Sequence, residues 1–152
     1  MTDNCTYEPL RNGKYTFTID KHRDLQQDIV SVNLPGVSIA ALDHYNGTYI
    51  IGNYPGNTTN YDALQITFIV DEKLDNYKKI FNWMHDTVKV NDLTDINSEG
   101  VLLIYSGDSG VYQEIVFHKC FPASLSPIDL DQTDEIVKAT CTFGYDYFEF
   151  VN

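Results

Sequence analysis

Basic residues are scarce in this sequence: ten lysines and arginines stand against twenty-two acids among 152 residues, so the formal net charge is −12 at pH 7. A nucleic-acid-binding surface needs clustered Lys and Arg, and this balance argues against one. The charge is also uneven, because residues 1–60 hold six acids and four bases whereas residues 61–152 hold sixteen and six. We therefore expect one face of the fold to be strongly negative.

Long apolar segments and cysteines are equally few. No apolar run reaches the ~18 residues of a membrane helix, and the first fifteen residues lack the apolar stretch of a secretory signal. Cys5, Cys120 and Cys141 are odd in number and widely spaced, which favours reduced cytosolic thiols over a disulfide framework. The sequence also lacks a Pro/Ser-rich linker, a low-complexity segment and an internal repeat. We expect an N-terminal arm over residues 1–13 and a single domain over residues 14–152.

Aromatic residues, by contrast, are abundant. They make up 13% of the chain and alternate with Thr, Val and Ile, a composition typical of strands. Alternation of apolar and polar residues predicts strands at 14–20, 28–33, 63–70, 101–105, 111–118 and from 137 to about 150. Residues 37–51 are predicted to form a long β-hairpin that turns at His44 or at Asn46-Gly47. Loops are predicted at 52–60 and 89–100, and a Pro-containing crossover at 121–128.

One helix is predicted, over about residues 72–88, with Asp71 as its cap. Its apolar residues recur at helical spacing and form one stripe that we expect to lie on a sheet. They are Leu74, Tyr77, Phe81, Met84 and Val88. Trp83 lies off this stripe and is predicted to contact something else, such as a neighbouring subunit, while Asp75 is expected to pair with Lys79. The predicted fold class is mainly β (α+β), a β-sandwich or barrel with one flanking α-helix.

Residues of catalytic and metal chemistry form no recognisable pattern. The loop at 52–59 has no Lys before its Thr, unlike a phosphate-binding loop, and the acids from Asp129 to Glu135 lack the Gly and Glu positions of an EF-type calcium loop. The four histidines lack the spacing of a helical zinc pair, and no Gly-x-Ser-x-Gly elbow occurs. His118 and Cys120 share a strand face, but a small apolar core residue is the better interpretation of Cys120. We therefore predict no enzyme activity, no metal and no cofactor.

Three stretches carry a resemblance to a known family. Residues 27–36 read QDIVSVNLPG, a strand that ends in Leu-Pro-Gly ahead of the hairpin. Residues 61–84 read YDALQITFIVDEKLDNYKKIFNWM, a strand followed by Asp-Glu and the helix. Residues 114–150 begin EIVFHKCFPASLSPIDLD and end YDYFEF, a strand, a crossover and a closing strand. Over about residues 14–150 the sequence resembles the tail tube proteins of contractile-tailed, T-even-like bacteriophages and their tube-fold paralogues in the tail and baseplate.

This resemblance implies a structural virion protein of a phage tail, assembled in the host cytoplasm. Proteins of this family form six-membered rings that surround a channel, with the helix outside the sheet, and the rings stack. The implied partners are further copies of the chain and sheath, baseplate or tail-end proteins. DNA would pass through the lumen without specific binding, because an acidic wall repels phosphates, and this chain would insert into no membrane. The resemblance leaves open whether the chain is the major tube subunit or a baseplate or tail-end ring.

Subunit contacts are expected where apolar residues exceed what one monomer can bury. In the family's arrangement the hairpin at 37–51 would reach the neighbouring subunit. The candidate interface residues are Val37, Ile39, Tyr49, Ile50, Ile51, Trp83, Phe148 and Phe150. Three alternatives remain: a hairpin packed within one monomer, a secreted type VI-like tube component, and a monomeric β-sandwich module that binds carbohydrate through surface Tyr and Trp.

Overall fold

A computed structural model describes residue 10 and residues 14–45, 47, 51–89, 97–105 and 110–151. The described residues form strands β1 (Tyr15–Ile19), β2 (Ile29–Val32), β3 (Val37–Tyr45), β4 (Ile51–Tyr61), β5 (Leu64–Ile69), β6 (Ser98–Tyr105), β7 (Val111–Leu125), β8 (Lys138–Gly144) and β9 (Tyr147–Val151). The helix α1 spans Asp75–Lys89, and a 3₁₀ segment that was not predicted spans Asp20–Asp28. The mainly β fold with one flanking α-helix is therefore confirmed. The predicted arm at 1–13, apart from Leu10, and the tip of the hairpin, apart from Gly47, lie outside the described part.

Two sheets share the long strand β7. Its first half lies between β6 and β9, and β6 in turn pairs with β1. Its second half pairs with β8, which is followed by β5 and β2. Strands β3 and β4 form a separate two-stranded sheet. Since β1 and β2 are the two ends of the strand order and do not pair, the described strands form an open sandwich rather than a closed barrel.

A bend in β7 separates the two sheets. At Lys119 the φ angle is +57°, in the left-handed region that non-glycine residues rarely adopt. Opposite this bend, the N–H of Asp146 donates to the carbonyl of His118 at 3.0 Å, and the Asp146 carboxylate lies 3.3 Å from the Lys119 ammonium. The single closing strand that the alternation predicted is therefore broken into β8 and β9, one for each half of β7.

Two segments that contain proline are strands, although the sequence predicted a loop and a crossover. Pro122 lies in the second half of β7 and pairs with Phe143 of β8, while β6 pairs only as far along β7 as Cys120. Pro55 lies in β4, which pairs with β3 alone. Each proline is therefore in a strand with one free edge, where a missing N–H removes no ladder hydrogen bond.

The helix begins at Asp75, later than predicted, and Asp71 does not cap it. Instead the buried side chain of Asn76 ties the helix start to its surroundings. Its amide oxygen accepts the N–H of Asp71 at 3.1 Å, and its amide nitrogen donates to the Ile69 carbonyl at 2.6 Å and to the Asp28 carboxylate at 3.1 Å. One satisfied polar residue thus holds together α1, the end of β5 and the end of the 3₁₀ segment.

The predicted stripe forms only part of the face of α1 that packs on the sheets: Tyr77 and Met84 are partly buried against the core. Ile80 and Trp83 are each 2% exposed, and the Trp83 ring centroid lies 5.8 Å from that of Phe143. On the predicted stripe, Phe81 is 48% exposed and Val88 is 86% exposed. The helical period was correct, but the most buried face lies to one side of the stripe, because the bulky indole fills the core.

The core lies between the two sheets, and α1 and the 3₁₀ segment cover it. Its buried apolar residues are Phe17, Ile19, Leu25, Leu64, Ile66, Phe68, Ile80, Trp83, Leu102, Ile115, Phe117, Cys120, Ala139, Cys141 and Phe143. The 3₁₀ segment contributes Leu25 and also binds α1, because Lys79 forms an ion pair with Asp24 instead of the predicted Asp75.

Candidate assembly surface

The β3–β4 hairpin extends away from the core. Every described side chain from Val37 to Asp43 is exposed, and most of those in β4 are exposed as well. Large apolar residues are among them: Val37 is 49% exposed, Ile39 57%, Leu42 58% and Tyr54 56%. A two-stranded sheet in water is marginally stable on its own. This hairpin therefore presents apolar surface that nothing in the described monomer covers.

A bulge in β4 kinks the hairpin at mid-length. Ile39 lies opposite Thr59, but two residues further on Ala41 lies opposite Pro55, so β4 has extra residues in between. Gly56 lies in this bulge, and a Cβ there would come within 2.4 Å of the Ala40 carbonyl oxygen. The close approach of the two backbones therefore requires glycine.

Aromatic side chains join the base of the hairpin to the body. The Tyr61 ring contacts those of Tyr145 and Phe148, with centroids 6.1 and 5.4 Å apart. The Tyr145 hydroxyl donates to the Asp62 carbonyl at 2.6 Å, and burial, with a smaller contribution from the nearby Asp62 carboxylate, raises the pKa of Tyr145 to about 12. The N–H of Asp62 donates to the Gly36 carbonyl at 3.0 Å. The hairpin therefore has a fixed base.

The last strand is a second exposed edge. Among the described residues β9 pairs with β7 on one side only. Phe148 packs against the core, 5.4 Å from the Phe117 ring, whereas Phe150 is 57% exposed and lies 6.0 Å from Phe148. An unpaired strand edge with exposed apolar residues is a ready site for pairing with another chain.

Next to this edge, His118 ties three strands together. Its Nε2 lies 2.9 Å from a Glu149 carboxylate oxygen on β9, and its Nδ1 lies 3.4 Å from a Glu99 carboxylate oxygen on β6. The Tyr147 ring lies against the imidazole, with centroids 4.6 Å apart. We interpret this cluster as a support that holds β9 in place, since it links β9 to β6 across β7.

The described residues show neither a reactive thiol nor a cluster of metal ligands. Burial raises the pKa of the Cys120 and Cys141 thiols to about 12, so neither is a thiolate at neutral pH. The described residues bring no three His, Cys, Asp or Glu side chains together as metal ligands. None of the described helices has the length and apolar content to cross a bilayer.

The predicted interface residues lie in different parts of the structure. Val37 and Ile39 lie on the exposed hairpin and Phe150 on the exposed edge of β9, while Phe148 is half-buried at the hairpin base. Trp83 belongs to the core, so the monomer leaves it no surface for a subunit contact, contrary to the prediction. Tyr49, Ile50 and the side chain of Ile51 lie outside the described part. The sequence analysis missed Leu42 and Tyr54, because it placed β4 in a loop and so could not pair these two residues.

The fold defines a class of protein: a mainly β domain with an open strand edge and a projecting, exposed hairpin. The sequence model of the phage tail tube protein family matches residues 9–151. The tail tube terminator protein of Enterobacteria phage T4 is 30% identical over 132 residues, which cover 78% of this chain and 74% of that protein. The chain therefore belongs to the phage tail tube protein family, and it is a structural component of a phage tail, not an enzyme.

Solved structures show the same fold at low sequence identity. The tube-terminating cap of the anti-feeding prophage is 16% identical, with a TM-score of 0.74 over 99% of this chain and 95% of that chain. The sheath/tube terminator of an extracellular contractile injection system, PVC in its extended state, is 12% identical, with a TM-score of 0.70 over 97% and 99% of the two chains. In both cases the likeness extends over nearly the whole chain.

Proposed function

We propose that this chain forms a ring, of six copies, that terminates the tube of a contractile phage tail. The T4 relative of 30% identity is a tail tube terminator, and it supports the choice of this role over the repeated tube subunit. The observation that supports a ring is the exposed apolar surface of the β3–β4 hairpin. Its residues Val37, Ile39, Leu42 and Tyr54 are all about half exposed or more. A head-to-tail contact that closes by rotation would bury this surface on each neighbour.

The hairpin also suits the wall of a channel for DNA. Between Val37 and Tyr61 the one residue charged at pH 7 is Asp43, and the rest of the polar residues are mainly Asn, Thr and Ser. A wall of this kind offers no clustered cations to hold phosphates. This composition differs from the acidic lining that the sequence analysis expected: DNA would slide along a nearly neutral wall, with the acids of the chain elsewhere.

Two isoleucines provide a matched pair of variants for the ring. Ile39 is 57% exposed on the hairpin and Ile136 is 69% exposed outside it, and neither belongs to the buried core. Full burial of an isoleucine side chain contributes about 1.5–3 kcal/mol, so burial of the exposed part of Ile39 contributes about 0.9–1.7 kcal/mol, about a four- to eighteen-fold change in an association constant. Ile39→Ser should therefore raise the concentration needed for ring formation at least about four-fold, while Ile136→Ser should leave it unchanged.

Light scattering and negative-stain electron microscopy over a range of concentrations test this. The expected particle has an open centre and about six times the 17.3 kDa mass of the chain. Added to purified tubes of the same tail, gold-labelled rings should bind at one end only. Long tubes made by this chain alone would indicate the repeated subunit instead. A monomer at every concentration that binds a glycan array would favour the carbohydrate-binding alternative and refute the ring.

A further inference from the structure

Strand β9 has little burial to hold it on the rest of the chain. Among the described strands it pairs with β7 alone, and of its five residues only Phe148 is not exposed. At the far end of the strand, Gln113 Nε2 donates to the Val151 carbonyl at 3.2 Å. Near its first residue, β9 is contacted by the imidazole of His118. The order of this strand therefore depends in part on one histidine side chain.

The His118 imidazole lies between two carboxylates from different strands. Its Nε2 lies 2.9 Å from a Glu149 oxygen on β9, and its Nδ1 lies 3.4 Å from a Glu99 oxygen on β6. A neutral imidazole has one N–H, so its other nitrogen would turn a lone pair towards an anion. An imidazolium has two N–H groups and a positive charge, and it attracts both carboxylates. Only the charged form of the ring therefore suits both neighbours.

The other charged and titratable groups around His118 do not replace its charge. The Tyr147 ring lies against the imidazole, with centroids 4.6 Å apart. The neighbouring cation, Lys119, is paired with Asp146 at 3.3 Å. Glu114 shares the His118 face of β7, because side chains alternate along a strand, but it lies four residues away. The charge of the imidazole therefore decides whether this group attracts β9.

We propose that His118 is a pH-sensitive link that holds β9 to β6 when it is protonated and loosens β9 when it is neutral. Imidazole changes its charge between about pH 5 and 8, whereas carboxylates ordinarily stay charged over that range. The link is therefore present in mildly acidic solution and is lost as the pH rises through the titration of His118. Because β9 is an open edge among the described strands, this link sets how readily the edge can pair with another chain. It lies within one copy of the chain and does not rest on the proposed ring.

Hydrogen exchange followed by mass spectrometry tests the link at about pH 5 and about pH 8, the two ends of the ordinary imidazole range. The protein concentration is one at which light scattering gives the same mass at both pH values. Each exchange rate is divided by that of an unstructured peptide at the same pH, which removes the intrinsic effect of pH. Protection of the β9 amides should fall about three-fold at the higher pH, as expected for a partly exposed ion pair. Protection of β8, which pairs with the other half of β7, should not change.

The variant Glu99→Gln separates this link from a general effect of pH. A glutamine amide can donate to an unprotonated Nδ1 while Nε2–H donates to Glu149, so the neutral imidazole then suits both neighbours. In this variant β9 should keep its protection at the higher pH. The control is Glu114→Gln, which removes a carboxylate from the same face of β7 and should respond to pH like the wild type.

Three results would overturn the proposal. The first is equal protection of the wild-type β9 at the two pH values. The second is a Glu99→Gln protein whose β9 still loosens as the pH rises, because the neutral imidazole would then not be the cause. The third is loss of the pH response in Glu114→Gln, which would assign the effect to the overall charge of this face and not to His118.

Discussion

Replacement of Trp83 with alanine separates a core residue from an interface residue. The indole is 2% exposed, packs against Phe143 and His22 at centroid distances of 5.8 and 5.3 Å, and has the Lys21 ammonium 5.4 Å from its ring. Truncation of a buried tryptophan costs about 3–5 kcal/mol. For a chain of this length each kcal/mol shifts the melting temperature by about 2–4 °C, so we expect a loss of roughly 10 °C.

Circular dichroism should follow the unfolding, because Trp83 is the one tryptophan of the chain and its fluorescence disappears with the substitution. Phe81→Ala on the same helix is the control, since Phe81 is 48% exposed and should lower the stability by about 1 kcal/mol. A Trp83→Ala protein that melts like the wild type but no longer assembles would refute the core assignment. It would restore the subunit contact predicted from the sequence.

Three further predictions concern the backbone and pH. Gly56→Ala should disrupt the hairpin bulge, because the new Cβ would lie 2.4 Å from a carbonyl oxygen; hydrogen exchange in β3 should quicken at least ten-fold, whereas Gly110→Ala, in open space, should have no effect. Lys119→Gly should raise stability by up to about 1 kcal/mol and Lys119→Ala should not, because only glycine relieves the φ of +57°; equal melting temperatures would contradict this. Tyr145 ionises near 10.0 when unfolded and near 12 when folded, so its contribution is complete below pH 10 and is lost as the pH rises towards 12. Tyr145→Phe should flatten the stability profile in that window, and an unchanged slope would show that burial of this phenol does not govern it.

Several elements could be predicted from the sequence because their signals are local. Alternation placed β1, β2 and β5 within one or two residues, and the apolar spacing located α1 to within three residues at its start. The strand ends that depend on partners were missed. Pro122 argued for a crossover, but β7 continues through it because its neighbour β6 has already ended there. The unbroken alternation from 137 to 150 likewise concealed the break that the bend at Lys119 imposes on the partner strand.

The candidate surface could also be predicted only in part, because some of its residues are identified by local signals and others only by strand pairing. The apolar residues Val37 and Ile39 indicated a hairpin that extends beyond the monomer core, and both are exposed in the structure. Leu42 and Tyr54 could be recognised only when the register of β3 against β4 was known. Trp83 was misplaced because a helical period identifies a row of residues but not which of two adjacent apolar rows faces the sheet.

By itself, the sequence determined the class of the fold, the place of α1 among the strands and the family, because the periods of strands and helices and the run of motifs are properties of the local chain. Tertiary structure decided which row of α1 enters the core, where β7 bends, and which strand edges stay open. These outcomes depend on how residues far apart in sequence pack together, as the contact between Trp83 and Phe143 shows. The hairpin, the surface proposed for ring assembly, is what this packing leaves outside the core.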